Sequence, residues 1–208
     1  MFGAWCIIEH MSASSTTSSA ADRLRLAIEA RNRAEAVEAR ALADFAAEHE
    51  WPVDAEIDLV GQRPVRVGAD GTPLLDEYVA LEVAALKGIS VAAATWLIRD
   101  VVNLRFRHPR LWTRALCGDL PLYRACHLAA EAARFELTAE QAHLIDDEVA
   151  PRIGGLPWRR LLSLYRGLIA DQVPGKLEEL SARARSERFV RRLGTDDPTV
   201  DYLSARVD

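Results

Sequence analysis

Five histidines, three cysteines and one run of three acids are the residues best suited to chemistry, and their spacing assembles no standard site. His10, His49, His108, His127 and His143 are scattered, with no nucleophile or second ligand at motif spacing. Cys6, Cys117 and Cys126 make no even disulfide framework. Cys126-His127 lacks the second Cys-x-x-Cys or His-x-x-x-His that a zinc site needs. Reduced, buried thiols and a cytoplasmic location are the expectation. Ser90 and Ser163 sit outside any nucleophile elbow, and no Gly-Lys-Ser/Thr follows Gly154-Gly155 to make a phosphate loop. Asp146, Asp147 and Glu148 are consecutive, so on a helix they point in different directions and cannot act as one metal site. The chain is expected to carry no catalytic residue, no metal and no cofactor.

Arginine is the remaining source of chemistry. Lys87 and Lys176 are the only lysines. Between Glu35 and Glu82 acids dominate, facing only Arg40, Arg63 and Arg66. From Arg99 to Arg134 the balance reverses, and a second basic stretch spans Arg152 to Arg192. Arg99, Arg105, Arg107, Arg110, Arg114 and Arg124 are the candidate nucleic-acid contacts, acting on the phosphate backbone. Arg105, Arg107 and Arg110 flank a predicted helix start at Pro109, where free amides and the dipole also favour an anion. Against this, Arg107 and Arg110 could pair with Asp76, Glu77 or Glu82, and the net charge of −5 is unlike that of a wholesale nucleic-acid binder.

The elements that would position these residues are short and amphipathic. Leu81, Ala84, Ala85 and Leu86 recur at helical spacing, as do Val91, Ala94, Leu97, Ile98, Val101 and Val102. Gly88 ends the first helix and Ser90 caps the second. Pro109 stops that helix and opens another with Leu111, Trp112, Ala115 and Leu116; Gly118 to Pro121 repeats the stop and start. Thr138 and Gln141 fit a capping box ahead of Ala142, Ile145 and Val149. After Gly154-Gly155, Leu156 to Ala170 reads as a helix with Leu161, Leu164, Tyr165 and Leu168 inward. Each is too short to stand alone, so they must pack together. The Gly88 turn, with Ala84, Ala94 and Leu97, has helix-turn-helix spacing. A reading helix made of Val91, Ala92, Ala93, Thr95, Trp96 and Arg99 offers few bidentate donors, so a core hairpin is preferred.

The motifs Gly71-Thr72-Pro73, Asp76-Glu77-Tyr78, Glu82 to Leu86, Gly88-Ile89-Ser90, Arg107 to Trp112, Gly118 to Pro121 with Arg124-Ala125, and Leu137 to Ala142 occur in order. In this succession, over roughly residues 50 to 208, the chain resembles the actinobacterial helical domain of unknown function, family 222, also called the thirteen-E-twelve repeat. The resemblance implies the N-terminal helical part of an HNH-endonuclease-type protein, whose metal-dependent nuclease lies further along the chain. No Cys-x-x-Cys, Asp-His or closing His-His of such a nuclease occurs in these residues. On that resemblance the sequence is a truncated or split product, or a stand-alone copy. Cys126 stands where relatives usually place a basic residue.

The expected fold is all-α, a compact array of short helices preceded by a long N-terminal helix, with a short strand at the C-terminus. Residues 1–20 read as a disordered start with Met11 as the true initiator. Residues 21–50 read as the long helix, with Leu24, Ala27, Ile28, Ala34, Val37, Ala41, Leu42 and Phe45 on one stripe. A loop covers 51–73, with at most a short hairpin around Pro64 to Val67 and Asp70-Gly71. The helical core covers 74–193, its last helix running from Pro174-Gly175 to about Arg192. A C-terminal segment, 194–208, follows. No segment has the length and apolarity to cross a bilayer. Two functions follow: a non-catalytic domain that contacts DNA backbone or positions a nuclease, or a protein interaction module, dimeric through the N-terminal helix, with no nucleic-acid role.

Overall fold

The computed structural model describes residues 19–52, 63–193 and 202–206, and it is predominantly helical. Residues 1–18 of the expected start, with Cys6 and His10, residues 53–62 of the 51–73 loop, and residues 194–201 and 207–208 of the C-terminal segment lie outside the described residues. Helix α1 (Ala20–Glu48) opens on a capping box, Ser19 accepting from the Asp22 amide and Asp22 reaching back. A two-residue ribbon follows: β1 (Pro64–Val65) pairs antiparallel with β2 (Leu75–Asp76). The short hairpin expected near Pro64 is therefore present, with Leu75–Asp76 as its second strand.

The array then runs α2 (Val79–Lys87), α3 (Val91–Arg107), α4 (Pro109–Leu116), α5 (Leu122–Arg134), α6 (Ala139–Val149), a 3-10 turn (Ala150–Arg152), α7 (Trp158–Gln172) and α8 (Lys176–Ser186). Local signals in the sequence set these ends. Gly88 takes a left-handed conformation at φ 64°, where a side chain would be strained. The Ser90 hydroxyl then accepts from the Ala93 amide, and Thr138 with Gln141 forms the full capping box of α6. Helix α3 is the centre, burying Ala94, Ile98, Val101, Val102 and Leu104 against the helices around it. The larger core lies between α4, α5, α6 and α7, around Leu111, Leu128, Ile145, Leu161 and Ile169. No single helix among the described residues is long and apolar enough to cross a membrane.

Three details differ from the sequence reading. On α2 the buried face is Val79, Ala80, Val83 and Ala84, and Leu81 and Leu86 point outward. On α1 the buried residues are Ala36, Ala39, Ala43 and Ala46, with Leu42 and Phe45 partly covered. Leu24, Ile28 and Val37 of the predicted stripe stay exposed. Alanine wins the buried position because it lets α1 approach α3 closely, and a periodicity count that weighs large residues misses it. Last, the final helix stops at Ser186 instead of reaching Arg192. β3 (Phe189–Leu193) pairs antiparallel with β4 (Tyr202–Arg206), Val190 opposite Ala205. Phe189 and Val190 suit a strand better than a helix, and the C-terminal strand has its partner within the chain.

Candidate functional site

The six predicted arginines are distributed over α3, α4 and α5, and each already has a partner. Arg99 lies 3.4 Å from its neighbour Asp100. Arg105 pairs with Asp44 of α1 at 3.0 Å, Arg110 with Asp147 of α6, and Arg114 with Asp119 at 2.6 Å. Arg124 donates to the Tyr123 hydroxyl and lies over the Trp158 ring. Arg107 is fully buried, and its guanidinium donates to the Leu137 carbonyl at 2.5 Å. Acids do neutralise this surface, but they come from α1, α3, α6 and the α4–α5 turn, not from Asp76, Glu77 or Glu82.

The helix start at Pro109 does hold an anion, supplied by the protein itself. Pro109 removes one amide and His108 gives α4 no side-chain cap. The Asp146 carboxylate fills that role from α6, accepting from the Arg110 amide at 2.7 Å and the Leu111 amide at 3.0 Å. Asp146 is fully buried while Asp147 turns outward to Arg110, so neighbouring acids do point different ways. Burial raises the Asp146 carboxyl above its ordinary value, and the two amides oppose that rise. Nothing in its sequence context distinguished Asp146 from its neighbours, because the amides it caps lie 35 and 36 residues away.

Arg107-His108-Pro109 thus forms a corner that ties the array together. His108 is fully buried beside Tyr165 of α7, with ring centroids 6.3 Å apart. Nδ1 and Nε2 of His108, Nε and Nη1 of Arg107 and the Tyr165 hydroxyl make no hydrogen bond among the described residues. Burial, then the Arg107 charge, then His143, push the His108 imidazole down to about 3 from 6.5. The folded protein therefore keeps His108 neutral where the unfolded chain would protonate it. Stability from this site is complete above pH 6.5 and falls as pH drops toward 3, by about 4 kcal/mol at the bottom of that window. Asp146, with its raised carboxyl, contributes with the opposite sign at the acid end. Denaturant titrations of wild type and His108→Gln between neutral pH and pH 4 read the difference. The variant loses less stability on acidification, and parallel curves would contradict the assignment.

No family model, curated protein or solved structure matches this chain. Cys117 is exposed at the end of α4, and burial raises the Cys126 thiol to about 12, so it stays protonated. Among the described residues no group of three or more His, Cys, Asp or Glu could hold a metal ion. Helices α2 and α3 meet at a bend of 109° about the Gly88 turn, and the would-be reading helix is the centre of the core.

Two surface features stand apart from these groups. From Ala20 to Glu35, α1 has no buried residue, and Leu24 and Ile28 are 63% and 42% exposed. Further along, Ala41, Leu42 and Phe45 of α1 face Val83 and Leu86 of α2 across an apolar groove of about 390 Å3, flanked by the Glu38–Lys87 pair. Leu86 is 76% exposed at its edge. At 100° per residue, Leu24 and Ile28 fall on the same side of α1 as Leu42 and Ala46, so the bare stripe runs directly into the groove.

Proposed function

We propose that the chain is a non-catalytic helical interaction module that assembles with a second copy of itself, α1 against α1, in antiparallel orientation. The observation that carries this reading is the charge order along α1. Its first half holds Arg23, Arg25, Arg31 and Arg33 against Asp22 and Glu29. Its second half holds Glu35, Glu38, Asp44 and Glu48 against Arg40. A lone helix prefers the reverse order, acids near its N-terminus and bases near its C-terminus. An antiparallel neighbour turns the same order into an attraction, because each basic half then faces an acidic half and the two dipoles oppose. A parallel pair would set like charges side by side.

The apolar residues support the same arrangement. Setting Leu24 and Ile28 of one copy on Phe45 and Leu42 of the other fills both grooves and brings Arg31 opposite Glu38. An interface of this kind is self-complementary, as two-fold symmetry requires. The resemblance to family 222 adds a role for such a module, that of positioning a nuclease carried by another segment. Backbone contact with DNA through Arg105, Arg107 and Arg110 draws less support, since one is buried and two are paired. Sedimentation equilibrium tests the reading. A mass near twice the 23.1 kDa of one chain is expected, and a monomer at all concentrations would contradict it.

A further inference from the structure

A second concave site lies away from α1, where α3, α5 and the loop at 67–69 meet. It encloses about 350 Å3 and its polar walls are Arg99, Asn103 and Arg134, with Ala130 and Ala133 giving it depth. Small side chains on α5 leave room there that a leucine would fill.

Asn103 is the informative residue. It is 2% exposed, and its Oδ1 accepts from the Ala69 amide at 2.8 Å. That bond fixes the amide orientation, since only the oxygen can accept. Its Nδ2 donates to no acceptor among the described residues. Unlike the sealed atoms of Arg107, His108 and Tyr165, this Nδ2 is not cut off from solvent, so it is open to an acceptor entering the pocket that Asn103 lines. Arg134, one helix away, is exposed and forms no ion pair or hydrogen bond among the described residues. Arg99 meets only the neighbouring Asp100, through Nε and Nη2 at 3.4 Å each, which leaves Nη1 for another acceptor. The polar side chains lining the pocket therefore present donors, two of them cationic, and the lining includes no carboxylate.

We propose that this pocket binds a phosphoryl group, held between Arg99 and Arg134 and accepting from Asn103 Nδ2. Donors converge from two helices, which suits the several oxygens of a tetrahedral phosphate. A carboxylate is satisfied by one bidentate arginine and would leave a donor bare. The site is independent of α1, and it stands whether or not the chain pairs.

Inorganic phosphate titrated into the full chain, followed by backbone and side-chain amide NMR, tests this. Saturable shifts are expected at Asn103 Nδ2, Gly68 and Ala69, with a Kd on the order of 1 mM. Arg134→Gln removes a charge that supports nothing in the fold and weakens binding about tenfold. Asn103→Asp keeps the acceptor for Ala69, deletes the donor and adds a repelling charge, so it abolishes the shifts. Arg159→Gln, exposed on α7 outside the pocket, changes nothing. A parallel titration with a short DNA duplex identifies the source of the group. The same amides moving at lower concentration point to a nucleic-acid backbone, and no such gain points to a small phosphorylated molecule. Absence of shifts at these amides, or shifts that survive Asn103→Asp unchanged, would overturn the proposal.

Discussion

Asp146→Ala lowers the stability of the fold by about 3 kcal/mol. The carboxylate is fully buried and accepts from the two amides that open α4. Without it both donors are stranded in the core, each costing about 1–3 kcal/mol, and the lost side-chain volume adds to the penalty. Asp146→Asn keeps one oxygen and loses roughly half as much. Asp147→Ala removes only a surface pair with Arg110 and costs less than about 0.5 kcal/mol. Urea titrations followed by circular dichroism separate the three, with midpoints shifting at constant slope. Equal effects at the two aspartates would show that Asp146 is not the cap of α4.

Placing glutamate at both Leu24 and Ile28 weakens self-association more than a thousandfold, about 4 kcal/mol or more. The two positions are exposed in the single chain, so their replacement leaves the monomer fold intact. In the pair each would enter the apolar groove of the other copy, and two-fold symmetry doubles every substitution. The new acids also meet the acidic second half of the facing α1, turning attraction into repulsion. Leu26 lies on the opposite side of the helix, is 57% exposed, and its replacement by glutamate has little effect. Sedimentation velocity over a range of concentrations compares the variants. Loss of folding, read by circular dichroism, is not expected in any of them.

Helix boundaries were legible where one residue type settles them. Gly88, Ser90, Pro109 and the Thr138–Gln141 box act within a turn of their own positions, and the fold uses them as read. Faces were harder. On α2 the outward residues Leu81 and Leu86 are larger than the inward Ala80 and Ala84, because the neighbour chooses the face by fit. The same rule hid the alanine face of α1. The role of Arg107 was not legible at all. Its motif looked like an open anion grip, whereas its partner, the Leu137 carbonyl, lies 30 residues away. The donors at Asn103 and Arg134 escaped for the same reason, since only folding brings α3 and α5 together. The C-terminal hairpin was half visible: β4 answers to the short strand expected at the C-terminus, while β3 was hidden inside a charged stretch taken for helix.

Antiparallel pairing places Glu35 of each copy at the two-fold axis, midway between the Leu24–Phe45 and Ile28–Leu42 contacts. Disulfide trapping of single-cysteine variants, with Cys6 and Cys117 changed to serine and Cys126 to alanine, tests that geometry directly. Under mild oxidation Glu35→Cys should link to itself across the axis. Leu24→Cys should not, because its two copies lie about 30 Å apart along the helices. Linking of both variants would mean a parallel pair, and linking of neither would mean that α1 does not pair with α1.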